Sequence, residues 1–575
     1  MTITSTMLLK CLEDSREQRL EDQVYNAMSE DDLSEAVLIL MYTMRYLKII
    51  PDVSKTRKCG SKSLESSAAG DEAKAARDNS QALKSYNVAL LYAPPNSMEM
   101  RTAYDGRSSF FYGVGSDKAC VHDIDVCLTL DCPPELIAKL ESRRKDATQT
   151  QWTKRLPKPK FCEDFFRLDT TRSVDVPYAC ADIGVVVKSD FPKAVALNDI
   201  KIGAVLAVET AFISHTTSDN TSSMCYHCQR VVPNLFPCKG CTRALFCSED
   251  CEMSSQREYH SIECQIDLLD VVDEANDFFL ILKCVLKLRH SFSSWQELID
   301  ASLTLGAKRI AGCPMKAVCD GSNPHSILCC NKQRHFIHGR MFNGSVACAV
   351  ILHYLTKVPI FFPKDNAECT AAMRAVARIM MHLHLHGNPT SMVVFVSANR
   401  KRGWDEKTNV GIFSFIGKLD HSCNPNVIAV SIHNTIALVS VQPIKRGTEL
   451  TLCYTHHFRE NTSVLVARKT RMALLKFGII CDCIVCKGVR QLNRDERLTN
   501  KQRKVINKIE SLLTLAEAAK DFSPQQVQDI FLNTCAVLAV LNNSPFSEQY
   551  ARVYKAFDRC ILYLQSYTNK NYMAG

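Results

Sequence analysis

Apolar residues recur along this chain with two different spacings, and these predict where helices and strands lie. Between residues 71 and 93 they recur every three or four positions, as on one face of an amphipathic helix. Residues 182–213 read instead as short strands around the turn Asp199–Gly203. Helical spacing returns over residues 266–395 and again from Lys501 onward. The pattern predicts an α+β protein with helices on both sides of its strands.

The first helical face has a weaker echo 37 residues later. The first face comprises Ala82, Leu83, Tyr86, Ala89 and Leu90, and the echo comprises Ala119, Cys120, Asp123, Ile124 and Cys127. This period is close to the roughly 34 residues of a tetratricopeptide repeat. An ordinary helical hairpin is the alternative, because a free-standing stack needs about three repeats. The charged, polar segment 54–80 is interpreted as a linker.

The length of 575 residues predicts several domains, since a domain typically takes roughly 100 to 200 residues. The longest apolar stretches, Phe278–Leu288 and Val346–Leu355, are interrupted by lysine or histidine. They are also shorter than the roughly 20 residues that a membrane helix needs. Charges occur too early in the first 20 residues for a signal peptide. We therefore expect a soluble intracellular protein, cytoplasmic or nuclear, without a membrane partner.

The 28 cysteines favour metal binding over disulfides, because disulfide scaffolds are typically small and secreted. The net charge of +9 is spread over 70 basic and 61 acidic residues. It permits acidic partners such as chromatin or RNA without requiring direct nucleic-acid binding.

Eight soft metal ligands fall in four pairs within residues 225–264. The pairs are Cys225 with Cys228, Cys238 with Cys241, Cys247 with Cys251, and His260 with Cys264. Eight ligands suffice for two tetrahedral zinc ions. RING-like, PHD-like and MYND fingers all interleave such ligands, and the final His-x-x-x-Cys resembles MYND. That resemblance implies that the first and third pairs hold one zinc and the other pairs the second. MYND fingers usually bind short proline-containing peptides, and some are only structural supports.

Three further motifs resemble SET-domain lysine methyltransferases. Gly411–Asn426 contains Asp-His-Ser-Cys-Asn-Pro-Asn, similar to the signature Asn-His-Ser-Cys-x-Pro-Asn. Gly447–Tyr454 looks like the strand that ends in the catalytic tyrosine, and Cys481–Cys486 is a Cys-x-Cys-x-x-Cys segment. Together with the finger, these motifs identify the chain as a member of the SET-and-MYND-domain family over roughly residues 160–490. The N-terminal repeats resemble the subgroup related to the family's fourth vertebrate member, which includes arthropod relatives.

The resemblance implies a role for each matching residue. Tyr454 would steer the methyl group of S-adenosylmethionine, and Phe477 would line the lysine channel. The residues that would contact the cofactor are Asp420, His421, Asn399 and Asn426. A third structural zinc would be held by Cys423, Cys481, Cys483 and Cys486. None of the three zinc sites would keep an open coordination position for catalysis.

The same resemblance implies a SET domain interrupted by the finger and by a helical insert. The expected parts are tetratricopeptide-like helices (1–150), the first SET part (160–224), the finger (225–264), the insert (265–370), the SET core (371–456), the post-SET zinc segment (457–488) and a C-terminal helical array (489–575).

Two positions depart from the family pattern. Asp420 stands where the signature has asparagine, and Phe191–Ala194 lacks the glycine turn that lets the backbone approach the cofactor. The leading hypothesis is a monomeric protein-lysine methyltransferase acting on histone or non-histone lysines. The alternative, favoured by both departures, is a weak or inactive adaptor in which the finger and the flanking helices recruit protein partners.

Overall fold

The computed structural model describes most of the chain. The described residues are 33–50, 58–149, 160–168, 171–188, 191–216, 221–266, 276–305, 318–329, 338–386, 395–396, 407–454, 478–487, 499–518, 523–542 and 547–571, with single positions in 23–27 and 471–475. No helix among these residues is long and apolar enough to cross a membrane.

Helices dominate both ends of the chain, as the apolar spacing predicts. They are α1 (Leu33–Tyr46), α2 (Gly60–Ala75), α3 (Asn79–Tyr92), α4 (Met98–Gly113), α5 (Asp117–Leu128), α6 (Pro134–Gln149), α7 (Lys160–Asp164), α8 (Glu249–Ser255), α9 (Ser261–Glu263), α10 (Asn276–Ser291), α11 (Trp295–Leu303), α12 (His325–Leu328), α13 (His338–Thr356), α14 (Asn366–His386), α15 (Ile484–Lys487), α16 (Asn500–Ala518), α17 (Pro524–Leu541) and α18 (Glu548–Asn571). A short π-helical segment, Gln256–His260, joins α8 to α9.

The strands are short and lie between the two helical ends. They are β1 (Ile183–Lys188), β2 (Phe191–Ala196), β3 (Val205–Thr210), β4 (Ile213–Thr216), β5 (Phe236–Pro237), β6 (Leu245–Phe246), β7 (Phe395–Val396), β8 (Lys407–Ile412), β9 (Asp420–His421), β10 (Val427–Ile432), β11 (Thr435–Ser440) and β12 (Thr451–Leu452). They form small sheets with the orders β1-β2, β10-β11-β3, β12-β9, β4-β8-β7 and β5-β6. β12 and β9 are parallel, whereas β1 and β2 form an antiparallel hairpin.

The chain divides into two compact units. The larger unit comprises Met1–Pro51, Lys158–Ser214 and Val271–Lys570. The smaller unit comprises Asp52–Pro157 and His215–Asp270, with the last residues Asn571–Gly575. The smaller unit therefore combines helices α2–α6 with the cysteine-rich segment, although residues 158–214 separate the two in sequence.

In the smaller unit the predicted helical faces are buried. Ala82, Tyr86, Ala89 and Leu90 of α3 lie in one apolar cluster with the four apolar residues of the echo on α5, and Leu83 packs half-buried against it. The fifth residue of the echo, Asp123, is also buried. The prediction of these two helical faces is confirmed. Side-chain caps define the helix starts, since Asp78 accepts from the backbone N–H of Gln81 and Ser97 from that of Met100.

The interpretation of residues 54–80 as a linker is wrong, because Gly60–Ala75 forms helix α2. The polar composition concealed a seam of small residues, Ser63, Ser67 and Gly70, that is buried. A Cβ atom added to Gly70 would lie 2.7 Å from Cε1 of Tyr86, so only glycine allows this close approach. The Ser63 hydroxyl donates to the carbonyl of Ala89 at 2.8 Å. Small residues rather than large apolar ones thus hold α2 against α3.

A buried polar network connects the helices of the smaller unit to its cysteine-rich segment. The Arg107 guanidinium donates to both carboxylate oxygens of Asp123, at 2.7 and 2.8 Å. It also donates to Oδ1 of Asn87 at 2.6 Å and to the Leu235 carbonyl at 2.8 Å. Asn234 Nδ2 donates to Oδ1 of Asp123 at 2.7 Å. Burial by itself would raise the pKa of Asp123, but the charge of Arg107 and these hydrogen bonds hold it below its ordinary value.

Two apolar clusters of the described residues include strands of the larger unit. One gathers residues of β2, β3 and β11 around Phe413, Phe415 and Ile416, and Tyr454 packs against it. The other joins β10 and β11 to α16–α18 and α7. Gln565 of α18 donates to the Ser431 carbonyl of β10 at 2.8 Å. Helix α1 packs against α13 and α14, burying Leu40 and Met41 completely.

Candidate active site and metal centres

A buried carboxylate sets the path of the chain into β9. Glu209 of β3 accepts hydrogen bonds from the backbone N–H groups of Ser414 (2.7 Å), Phe415 (3.0 Å) and Ile416 (2.9 Å). Burial raises the pKa of Glu209, and these donors oppose that rise by stabilising the charged form. The Lys418 ammonium donates to the Ser326 carbonyl at 2.8 Å. The turn before Asp420 is therefore held by side chains that sequence analysis did not single out.

Asn426 ties the end of the signature segment to the segment that precedes Tyr454. Its Nδ2 donates to the Glu449 carbonyl at 2.8 Å, and its Oδ1 accepts from the backbone N–H of Thr451 at 2.8 Å. Both ends of the amide are thus engaged by backbone groups. The pairing of Thr451 with Asp420 in the parallel β12-β9 ladder completes this connection.

Tyr454 follows β12 directly and lies beside His421. Its backbone N–H donates to Nδ1 of His421 at 3.1 Å, and the two rings are 5.0 Å apart between centroids. Its hydroxyl donates to the carbonyl of Leu419. The imidazole also approaches the thiol of Cys423, with Nε2 lying 3.4 Å from Sγ. His421 therefore bridges the tyrosine and a predicted metal ligand.

The third predicted ligand set is assembled next to this tyrosine. Sγ of Cys423 lies 4.0 Å from that of Cys481 and 3.7 Å from that of Cys486. With Cys483, all four sulfur atoms lie within 4.8 Å of one another. Four thiolates at this spacing are compatible with a tetrahedral zinc ion.

Both ligand sets of the cysteine-rich segment are assembled as well. One set brings together Cys225, Cys228, Cys247 and Cys251, and the other brings together Cys238, Cys241, His260 and Cys264. In each set the potential ligand atoms lie within 4.8 Å of one another, which is compatible with zinc. These are the interleaved sets implied by the family resemblance.

Acidic and phenolic groups orient the histidine of the second set. Nδ1 of His260 lies 3.1 Å from Oε2 of Glu263, while Nε2 faces Sγ of Cys241 at 3.6 Å. Tyr226 donates its hydroxyl proton to Oε1 of Glu263 at 2.7 Å. A carboxylate on the far nitrogen fixes the histidine tautomer that a metal requires. Neither Glu263 nor Tyr226 was singled out from the sequence, because they lie outside the ligand spacing.

The two departures from the family pattern lie in contact with each other. Nζ of Lys193, within the segment that lacks glycine, is 2.5 Å from Oδ2 of Asp420. The two side chains are 10% and 23% exposed. The carboxylate expected to face S-adenosylmethionine is thus engaged by an internal cation. While this contact is made, Asp420 does not fit the cofactor contact that the family resemblance implies for it.

The remaining predicted site residues, Asn399 and Phe477, lie outside the residues that the structure describes.

Comparisons with known proteins find one matching family and several proteins that this chain resembles. The SET domain family matches residues 193–455. Protein-lysine N-methyltransferase SMYD4 of Mus musculus is 24% identical over 359 residues, which cover 51% of this chain and 44% of the relative. SMYD4 of Pongo abelii is 21% identical over 535 residues, covering 72% and 65%. Histone-lysine N-methyltransferase SMYD3 of Mus musculus is 28% identical over 148 residues, covering 23% and 33%. The matches thus span between 44% and 65% of the two SMYD4 relatives.

Proposed function

We propose that this chain, which belongs to the SET-and-MYND-domain family and resembles its SMYD4 members, is a protein-lysine N-methyltransferase that uses S-adenosylmethionine. Its substrates would be histone or non-histone proteins that present a lysine. The names of its relatives, protein-lysine and histone-lysine N-methyltransferases, support this reaction class.

The convergence of three distant segments at Tyr454 carries the proposal. His421 contacts the Tyr454 backbone on one side and the Cys423 thiol on the other. Cys423 in turn faces Cys481 and Cys486. A tyrosine that only filled a core would not need a signature histidine and a four-thiol cluster beside it. This arrangement supports an active-site position for Tyr454.

Each residue of this chain would contribute mainly by position. Methyl transfer to an amine is an in-line displacement, so holding the reacting groups aligned supplies much of the catalysis. S-adenosylmethionine supplies the methyl group when bound. Tyr454 would orient its hydroxyl toward the site of transfer, held there by His421 and the Leu419 carbonyl. Phe477 would line the channel and favour the neutral lysine amine by excluding water.

The cofactor pocket would be formed by Asp420, His421, Asn399 and Asn426. The engagement of the Asn426 amide by backbone groups supports a role in shaping the pocket wall. Three zinc ions would be structural, since each cluster offers four ligands and leaves no open position.

We infer a modular arrangement around this site. A MYND finger and a helical insert would interrupt the SET domain, tetratricopeptide-like helices would precede it, and the C-terminal helices would restrict access to the lysine channel. The finger would bind a proline-containing peptide or a co-regulator. The protein would act as a monomer in the cytoplasm or the nucleus.

A second candidate function is that of an adaptor with little or no catalysis. The Lys193–Asp420 pair favours it, because the pair engages a group that the cofactor would need. The smaller unit also favours it, since its finger and helices share one buried polar network and could present a composite surface. On this reading the SET fold would be a scaffold for partner recruitment.

A Tyr454→Phe variant tests the enzyme hypothesis. The zinc-loaded full chain should transfer labelled methyl groups from S-adenosylmethionine to lysine peptides of a library. Removing the hydroxyl should lower the rate about 100-fold, as for other single groups aimed at developing charge. Tyr112→Phe is the matched control, since Tyr112 is an exposed tyrosine of the smaller unit and its loss should leave the rate unchanged.

Two outcomes would contradict the proposal in different ways. A Tyr454→Phe protein with the full methylation rate would remove the role given to this tyrosine. A folded wild-type protein that neither methylates any peptide nor binds the cofactor by calorimetry would favour the adaptor.

A further inference from the structure

The Lys193–Asp420 ion pair joins two strands that border the candidate active site. Lys193 lies on β2, where it is paired with Val186 across the hairpin. Asp420 opens β9, next to His421. The ammonium and the carboxylate meet at 2.5 Å, and both side chains are mostly withdrawn from solvent. The pair is therefore part of the site's wall and differs from an ordinary surface contact.

Backbone hydrogen bonds hold the strands of Lys193 and Asp420 close to each other. Leu450 donates its N–H to the Ala194 carbonyl at 2.9 Å, and Ala196 donates to the Thr448 carbonyl at 2.9 Å. Thr451 then pairs with Asp420 in the β12-β9 ladder. The segment 448–452 thus connects the strand of Lys193 to the strand of Asp420, and it continues to Tyr454. Both charged residues are held by the same backbone that positions the tyrosine.

The two departures from the family pattern compensate each other. A lysine in place of a glycine turn would leave a cation at the edge of the pocket, and an aspartate in place of asparagine would leave an anion. Either charge alone, half-buried and unpaired, would be unfavourable. Together they form one ion pair, so they are matched substitutions rather than two separate losses.

We propose that this ion pair is an internal latch that closes the cofactor's approach between β2 and β9. The inference rests on the proposed function. Binding of S-adenosylmethionine between β2 and β9 would require the Lys193–Asp420 contact to open. In the closed state the Lys193 side chain occupies the approach that glycine would leave clear, and the Asp420 carboxylate is neutralised.

A latch reduces apparent affinity by the fraction of molecules in which it is open. If one molecule in about ten is open, the measured dissociation constant is about tenfold above the intrinsic one. Removing either charge should open the latch. Removing both should therefore add little to the larger single effect, because a contact can be broken only once.

Isothermal calorimetry of S-adenosylmethionine with the zinc-loaded full chain tests the latch. The variants are Lys193→Ala, Asp420→Asn and their combination, compared with wild type. Each single variant should bind about tenfold more tightly, and the combination should bind no more tightly than the better single. A charge swap, Lys193→Asp with Asp420→Lys, should restore the pair and return the affinity toward wild type.

The matched control is Lys445→Met. It removes another lysine–aspartate pair of the larger unit, in which Nζ of Lys445 lies 2.7 Å from Asp199 and both side chains are well exposed. Cofactor affinity should not change in this variant. Circular dichroism and thermal unfolding of every variant establish that the proteins compared are folded.

The outcomes separate the latch from the proposed function. Tighter, non-additive binding in the variants supports the latch. Unchanged or weaker binding in the single variants, with wild type binding well, overturns the latch and leaves the enzyme standing, since Lys193 or Asp420 would then contact the cofactor directly or not at all. No binding by wild type and by the folded combination overturns both.

Discussion

Each of the two units contains an ion pair between a basic side chain and an aspartate, and the two pairs differ in how deeply they are buried. In the smaller unit, Arg107 and Asp123 are 1% and 0% exposed. Arg107 also donates to Asn87 and to the Leu235 carbonyl, and Asp123 accepts from Asn234. In the larger unit, the side chains of Lys193 and Asp420 are 10% and 23% exposed and border the candidate site. A saturated, fully buried pair fixes a structure because opening it would strand two charges. A partly exposed pair can open, because water and ligands can replace each partner.

The largest expected effect comes from removing a predicted zinc ligand of the smaller unit. A Cys238→Ser variant should lose the second zinc of the finger and with it most of the finger's folding free energy, on the order of 10 kcal/mol in small zinc modules. Because Asn234 and Leu235 complete the Arg107–Asp123 network, helices α4 and α5 should also lose protection. Amide hydrogen exchange over residues 98–128, with zinc content by mass spectrometry, measures both.

Cys369→Ser is the control for this experiment, since Cys369 lies on α14 of the larger unit and outside all three ligand sets. Full protection of α4 and α5 in the Cys238→Ser protein would mean that the helices fold without the finger. The buried network would then be a consequence of their packing rather than its support.

An Arg107→Met variant should have the next largest effect. It leaves the Asp123 carboxylate buried without its partner, which typically costs about 3 to 5 kcal/mol. Urea unfolding monitored in the smaller unit gives the free energy directly. Lys193→Met is the paired variant, and its unfolding is monitored in the larger unit. It should cost about 1 kcal/mol or less, because the Asp420 side chain left behind is 23% exposed and water can solvate it. Equal losses of unfolding free energy in the two variants would contradict the distinction between a pair that fixes the structure and a pair that can open.

The smallest effect concerns pH and helix α14 of the larger unit. Burial lowers the pKa of His382 to about 4 and that of His384 to about 3. The unfolded chain, with histidine pKa near 6.5, therefore binds more protons below pH 6.5 than the folded one, and stability falls as the pH falls. At pH 5.5 each histidine should contribute about 1 kcal/mol of destabilisation.

Thermal unfolding between pH 7.5 and 5.5 measures this loss, and His382→Gln should reduce its pH dependence. The comparison is best followed by hydrogen exchange in α14, where both histidines lie. A wild-type stability that does not change across this range would show that these imidazoles are solvated and that α14 is less tightly packed than its burial indicates.

The features predicted best from the sequence are those whose residues lie only a few positions apart in the chain. The apolar faces of α3 and α5 follow from helical periodicity, and they are buried as expected. The ligand pairs are each two to four residues apart, so the geometry of one turn brings them together. Their assignment to particular zinc ions came from family resemblance, and the structure gathers the same sets.

What the sequence could not predict depends on partners far apart in the chain. Glu209 meets Ser414 across 205 residues, and Lys193 meets Asp420 across 227. Neither contact leaves a periodic signal. Helix α2 was missed for a different reason, because its buried seam is made of serine and glycine, which a hydrophobic pattern does not register. The domain boundaries stay predictions.

The packing of α1 has a consequence for how the protein is made. Its fully buried residues, including Leu40 and Met41, pack in the finished molecule against α13 and α14, which are synthesised some 300 residues later. At ribosomal speeds of about 5 to 20 residues per second, this delay amounts to tens of seconds. During that time the smaller unit's two stretches can both emerge and assemble, while the apolar face of α1 still waits for its partners. The apolar face of α1 therefore stays exposed to solvent or chaperones until α13 and α14 have been synthesised.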